Sequence, residues 1–277
     1  MASRFFEGDR HAALYARYRP TMPEALVNIL RTYAGEGVVG RLQQVADVGC
    51  GSGQGTRLLA PHFDRVLGTD VSPAQVAEAA AANTEGNVSY RASPAEATPL
   101  PAASCQLVLA VQACHWFDMG AFFADVSRLL CAGGALALVG YRLPVPVVGG
   151  RERQDAQELL ADSYVNGLAA WIKPQSVEVY IDGYSNPRFL SSLTDHKREE
   201  TTFCDLEGTV ADLVGYCSTW SGFQLMVADR GQEAGVTFLR QLEDRLLKLL
   251  GGDITLDSPI QIRFRYFALL SRKPRAP

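Results

Sequence analysis

The sequence predicts an α/β protein built on a mostly parallel sheet with helices on both faces. Three observations carry the prediction. Apolar strand-like runs alternate with helical patterns between Gln44 and Tyr141, which calls for a parallel sheet with right-handed crossovers. The first run feeds a turn with three alternating glycines, Gly49, Gly51 and Gly53. The second run closes on an acid, Asp70, 21 positions after Gly49.

Taken in order, residues 24–34 have helical apolar spacing behind Pro23, which suits a first helical turn. Strands are expected at 44–48, 65–69 and 87–91, with a short helix over 55–60 stopped by Pro61. Ser72 and Pro73 supply an N-cap and first position for an alanine-rich helix over 74–82. The runs 106–111 and 135–141 are almost continuously apolar, as strands buried on both faces are. Between them 121–130 reads as a helix with Phe122, Val126, Leu129 and Leu130 inward, closed by Gly133 and Gly134. Beyond Arg142 the prolines and glycines at 144, 146, 149 and 150 read as a linker. Helical patterns follow at 153–171, 213–220 and 238–250, the stretch 174–193 is irregular and aromatic, and 200–206 and 260–270 have strand character.

The chain has 277 residues, 47% of them hydrophobic and 20% charged, with a net charge of −4. No overall basic field favours nucleic acid or acidic membranes. Charges in the first seven residues stand where a signal peptide needs an apolar core, and 135–148 is too short and too interrupted to span a bilayer. A soluble, cytoplasmic protein is expected. The six cysteines form no Cys-x-x-Cys pair and the four histidines no His-Glu-x-x-His pattern, so reduced thiols and no metal are expected.

The glycine turn and the acid carry the chemistry. A glycine turn after a first strand, with an acid closing the second, is the trace of a βαβ unit that grips a nucleoside, and the spacing points to an adenosine-containing cofactor. A dinucleotide turn reads Gly-x-Gly-x-x-Gly, yet the sixth position is Gln54 or Thr56 in the two registers. No Gly-Lys-Ser/Thr follows, which excludes a P-loop. What stands is Asp47-x-Gly49-Cys50-Gly51-x-Gly53.

That passage resembles motif I of the class I S-adenosylmethionine (SAM) methyltransferases, with Asp70 in the place of the acid that holds the ribose hydroxyls and Val71 beside it. The resemblance implies a Rossmann-like sheet of seven strands, the seventh antiparallel, with 200–206 and 260–270 as the sixth and seventh. It divides one domain into an N-terminal cap (1–40), a SAM-binding core (41–143), an inserted cap (144–198) and the remainder of the sheet (199–277). S-adenosylhomocysteine would be the product. Ala95-Glu96 and the following Pro99 are similar to a passage of the small-molecule branch, but Pro94 and Gln106 stand where that branch has acids. Adenine recognition then rests on backbone groups of Ser93 and Ala95, with Glu96 either a cofactor contact or part of a plain surface loop.

Gln112-Ala113-Cys114-His115-Trp116-Phe117 is similar to a passage of proteins related to trans-aconitate methyltransferase. It follows the fourth strand, and open α/β sheets bind ligands at the carboxyl ends of strands. Gln112 is expected on the methionine part of SAM and Trp116 on the substrate. His115 is either a general base or a packed histidine that orients the loop. The stretch around Tyr15, Arg17, Tyr18 and Arg19-Pro20 also matches that branch, where it folds over the cofactor. Tyr18 and Arg19 are then cofactor candidates and Tyr15 a substrate candidate, the alternative being a solvated helix face. Arg142 ends the fifth strand and could meet an anionic acceptor, or pair with the chain's own acids. Trp220 is either an acceptor-pocket or a core residue.

The function implied is methyl transfer from SAM to a small molecule, at a hydroxyl or carboxylate oxygen, by a monomer or weak homodimer without nucleic-acid or membrane partners. A SAM-binding module without transfer activity is the rival. A protein or RNA methyltransferase fits poorly, because no Asn-Pro-Pro-Tyr-type tetrapeptide follows the fourth strand.

Overall fold

The computed structural model describes residues 17–36, 38 and 40–275. Strands β1 (Leu42–Val48), β2 (Phe63–Asp70), β3 (Val88–Ala92), β4 (Cys105–Val111) and β5 (Leu130–Tyr141) lie parallel in the order β3-β2-β1-β4-β5. Helix α1 (Glu24–Ala34) precedes them, and α2 (Gln54–Leu58), α3 (Pro73–Ala81) and α4 (Met119–Leu129) connect them. Ser72 caps α3 by accepting the N–H of Gln75, with Pro73 in the first turn. The β3–β4 connection, 93–104, is a loop without a helix, so the alternation is incomplete there.

Alternate residues of β5 enter two cores, as a period of two requires. Ala135, Ala137, Val139 and Tyr141 join Leu26, Val27 and Leu30 of α1 on one face. Leu136 and Leu138 join Phe122, Val126 and Leu129 of α4 on the other.

Strand β10 (Pro259–Arg272) runs antiparallel to β5 through Tyr266–Arg272. The expected sixth strand is broken in two and displaced from 200–206. Strand β8 (Thr194–Glu199) pairs with the C-terminal half of β10, and β9 (Phe203–Thr209) with Pro259–Arg265. The break follows a change in β10 itself. Ile260, Ile262, Phe264 and Tyr266 are buried and alternate with more exposed residues, whereas Tyr266 to Ala268 are buried on both faces.

The 144–198 stretch is not wholly a cap. Strands β6 (Val145–Val148) and β7 (Arg151–Glu152) extend the sheet past β10, and β8 rejoins it at the other end. Pro144 and Pro146 read as linker, but Pro146 pairs with Ile262 and its carbonyl accepts Arg153 N–H. Glu152 and Asp205 both pair with Arg263, tying β7 and β9 to β10. The remaining excursion holds α5 (Gln154–Asp162), a π-helical turn (Ser163–Gly167), α6 (Pro174–Tyr180) and a 3₁₀ turn (Pro187–Phe189). The helix expected over 153–171 therefore changes form at Ser163, and part of the aromatic stretch is helical. After β9 come α7 (Val210–Ser218), α8 (Ser221–Arg230) and α9 (Gln232–Leu250). Helix α9 starts six residues before the expected 238 because its first turns are mostly exposed and show no apolar period.

Among the described residues, no helix is long and apolar enough to cross a membrane.

Candidate functional site

The glycine turn sits at the carboxyl end of β1. Gly49, Gly51 and Gly53 have φ of 75°, 54° and 77°, a region that favours residues without Cβ. Two of them are also fixed by their neighbours. A Cβ on Gly49 would lie 2.5 Å from Ala113 Cβ, and one on Gly53 2.5 Å from Tyr90 Oη. At Gly51 the nearest atom to such a Cβ is Gln75 Oε1, 3.5 Å away in ordinary contact, so only its backbone conformation calls for glycine. Cys50 and Gly49 donate their N–H groups to Thr69 O, and burial pushes the Cys50 thiol well up, leaving it protonated.

Asp70 faces the turn from β2. Its Oδ2 accepts Gly51 N–H at 3.0 Å and its Oδ1 accepts Ser72 N–H at 2.9 Å. Each oxygen keeps capacity for another donor. Asp47, 2% exposed, accepts the Thr56 hydroxyl at 2.6 Å on Oδ2, while Oδ1 is buried with no partner among the described residues. Burial, reinforced by the Asp70 charge, pushes its carboxyl up to about 6. Gln112, at the end of β4, has φ of 51°. Its Nε2 donates to Tyr141 O at 3.3 Å and its Oε1 is a second buried acceptor without a donor among the described residues. Buried acceptors are normally satisfied. Two such acceptors beside a glycine cradle therefore suit a ligand with an ammonium group, as the methionine end of SAM has.

On the nucleoside side, Val71 is 56% exposed, unusual for a valine and suited to a planar base. Ser93 donates its N–H to Asp70 O and its hydroxyl to Ala97 O, Ala95 is buried, and Glu96 accepts Asp118 N–H at 3.0 Å. Glu96 thus ties its loop to the start of α4, whose N-cap is Asp118.

The 3₁₀ turn Cys114–Trp116 carries the next candidates. His115 is 5% exposed, with Nδ1 2.9 Å from Tyr184 Oη. Burial and the neighbouring Arg188 charge lower its pKa to about 3, so it is neutral at pH 7. Trp116 packs beside the His115 ring and under Lys173.

The N-terminal candidates lie against α7. Tyr15 falls outside the described residues. The Tyr18 ring covers Gly215, where a Cβ would lie 2.4 Å from it, and Arg17 pairs with Asp212. Arg19 is 6% exposed and enters an aromatic chamber between cap and sheet. It donates to Tyr180 Oη at 2.6 Å, Tyr141 Oη at 3.1 Å and Thr219 Oγ1 at 2.8 Å, and its guanidinium stands over the Tyr216 ring. Trp220 closes the chamber, fully buried and edge-on to Tyr164 and Tyr216. Among the described residues, the buried hydroxyls of Tyr164 and Tyr216 and Nε1 of Trp220 have no hydrogen-bond partner within normal distance. Arg142 points elsewhere, donating to Ile181 O and pairing with Glu200.

Sequence reading misses Tyr90, Tyr141, Tyr180, Tyr184 and Arg188. Tyr90 leaves no signal, since a tyrosine in a strand is ordinary. Tyr141 ends an apolar run on a polar aromatic, and Tyr180 and Tyr184 belong to the aromatic stretch, so their side-chain types are visible but not their partners.

Residues 46–138, from β1 through most of β5, match the methyltransferase domain family. A Dictyostelium discoideum protein named as a methyltransferase is 28% identical over 267 residues, which span 94% of this chain and 92% of the relative. A Saccharomyces cerevisiae protein, CRG1, named as an S-adenosylmethionine-dependent methyltransferase, is 25% identical over 72% of this chain and 66% of its own length. The solved structure of an Anaeromyxobacter dehalogenans protein named as a type II methyltransferase is 27% identical, covers 94% of this chain and all of that one, and aligns with a TM-score of 0.72. The fold is the Rossmann-like methyltransferase fold. Together the matches support a class I SAM-dependent methyltransferase.

Proposed function

We propose that the chain transfers the SAM methyl group to an oxygen of a small-molecule acceptor, a carboxylate in particular, and that it belongs with the branch related to trans-aconitate methyltransferase. The observation that carries the acceptor class is the surplus of donors in the aromatic chamber. Arg19 already donates to Tyr141 and Tyr180, so both phenol protons are left to give. Tyr164, Tyr216 and Trp220 add three buried donors without partners among the described residues. An acceptor-only group such as a carboxylate, bound between cap and sheet, would satisfy them. Tyr141 connects this chamber to the cofactor end of the sheet through its carbonyl and Gln112.

In this reading Asp47 and Gln112 receive the SAM ammonium, and Asp70 the ribose hydroxyls. Val71, Ser93 and Ala95 take the adenine, while Gly49, Cys50, Gly51 and Gly53 border the cofactor. Glu96 holds the adenine loop in place. Tyr18, Arg19 and Trp220 belong to the acceptor side, with Trp116 at its rim. SAM supplies a methyl carbon made electrophilic by its sulfonium, so an ionised carboxylate needs alignment and exclusion of water more than a base. A histidine with a pKa near 3 is also a weak base for a hydroxyl. The reading extends to one domain, capped at its N-terminus and by the excursion after β7, that works in the cytoplasm as a monomer or weak homodimer, apart from nucleic acid and membranes.

Tritiated SAM offered to a metabolite extract and to total protein and RNA tests the proposal. Label released as methanol by mild alkali is expected, because carboxylate methylation yields an ester. Alkali-stable label in small molecules would point to a hydroxyl acceptor. Label only in macromolecules, or SAM binding without turnover, would overturn the reading.

A further inference from the structure

His115 is gripped at two points by the excursion that follows β7. Its imidazole Nδ1 lies 2.9 Å from Tyr184 Oη, and its backbone carbonyl accepts Arg188 Nη2–H at 3.0 Å. The gripping residues are themselves held. Arg188 forms a two-point pair with Glu178, its Nε 2.9 Å from Oε1 and its Nη2 closer still to Oε2. Tyr184 packs edge-on to Phe267 of β10, its ring centroid 5.2 Å away, and is 2% exposed.

Two non-glycine residues with left-handed backbones flank this arrangement. Gln112 has φ of 51° and Tyr184 has φ of 57°. Such conformations persist only where the surroundings over-determine them. Gln112 opens the turn that His115 belongs to, and its Nε2 is fixed on Tyr141 O. A shift of the turn would therefore move the buried Oε1 of Gln112, which has no donor among the described residues.

From this geometry we infer that Tyr184 and Arg188 are positioning residues: they clamp His115 and thereby hold the 112–116 turn, with Gln112 in place, for the cofactor. The inference rests on the SAM-binding reading above. It also gives His115 work that involves no proton transfer, consistent with its neutral, dry surroundings.

SAM titration calorimetry and steady-state kinetics on the full chain test the clamp. Tyr184→Phe removes one hydroxyl and keeps the ring, while Arg188→Gln releases the carbonyl. Each is expected to raise the Kd and KM for SAM by about fivefold or more, the range for removing a hydrogen bond to a buried group, with a smaller change in kcat. The melting temperature is read alongside, and titrations are run well below it, so that a folding defect does not pass for weaker binding. At His115 the isosteres separate the two ring nitrogens. Asparagine places its amide near Nδ1, and glutamine near Nε2. His115→Asn is expected to lose clearly less SAM affinity than His115→Gln. Wild-type SAM affinity in Tyr184→Phe and Arg188→Gln would overturn the clamp while leaving the methyltransferase reading intact. So would equal losses in the two His115 variants. A wild-type chain that binds no SAM would end that reading, and the clamp with it.

Discussion

Asp70 Oδ2 accepts the N–H of Gly51 at 3.0 Å, so the acid that closes β2 also closes the turn that leaves β1. Cofactor binding and loop geometry are thereby joined in one carboxylate. Asp70→Ala should weaken SAM binding by about 1.5–3 kcal/mol for each charge-assisted hydrogen bond it removes, and Asp70→Asn by less, because the amide oxygen still accepts one N–H. Calorimetry with SAM and S-adenosylhomocysteine reads both. An unchanged affinity in Asp70→Ala would mean that another residue holds the ribose.

The Tyr90 side chain occupies the space that side chains at Gly53 and Gly68 would need, its Oη 2.5 Å and a ring carbon 2.6 Å from the two Cβ positions. Gly53→Ala adds a strained backbone to that collision and should cost about 1–3 kcal/mol of stability, together with SAM affinity. Gly86→Ala is the control, since a Cβ there meets nothing within 4 Å. It should stay within about 0.5 kcal/mol of wild type. Urea unfolding of the two variants makes the comparison, and a Gly53→Ala chain as stable as Gly86→Ala would mean that the Tyr90 side chain does not fix Gly53.

The sheet and the nucleoside turn are legible in the sequence because they are local. Buried strands announce themselves as apolar runs such as Leu107–Ala110, and the turn by three glycines between two acids. What stays hidden depends on distance. The partners of His115 are 69 and 73 positions away, and no periodicity links a histidine in one turn to a tyrosine and an arginine in another. Strand β6 is hidden by Pro146, which lacks an N–H yet still pairs with Ile262 at the margin of the sheet. The split of the sixth strand is illegible because it is dictated by β10, on which β8 and β9 both lean. Arg19 stands out from its motif, but its neighbours Tyr141, Tyr180 and Thr219 come from three separate elements.

Tyr216 carries a buried hydroxyl without a partner among the described residues, on a ring that lies under the Arg19 guanidinium. Tyr216→Phe deletes that hydroxyl, keeps the ring under the guanidinium and relieves an unsatisfied group. Stability should hold or rise by up to about 1 kcal/mol. If the chamber takes the acceptor's carboxylate, the same variant should raise the acceptor KM by about tenfold and leave SAM affinity alone. Melting curves and kinetics on a carboxylate acceptor give the two readings. A lower stability together with wild-type kinetics would make Tyr216 a core residue only.

Asp47 sets a pH dependence whose sign is fixed. Burial raises its carboxyl from the ordinary 3.8 to about 6. Between those values the native state binds more protons than the unfolded chain, so stability falls as pH rises from about 4 through 6 and levels off above. The full difference is about 3 kcal/mol at 1.36 kcal/mol per pH unit. Asp47→Asn removes the ionisation, and should flatten that slope and make the chain more stable than wild type above pH 6. SAM binding should run the other way. An ammonium beside Asp47 favours the carboxylate, so wild-type affinity should rise as pH climbs through 6, with proton release on binding, while Asp47→Asn should bind weakly at every pH. Urea unfolding and SAM titration from pH 4.5 to 8 measure both curves on the same two proteins. If wild-type affinity is flat across pH 6, the ammonium does not sit on Asp47, and Gln112 is left as its buried acceptor.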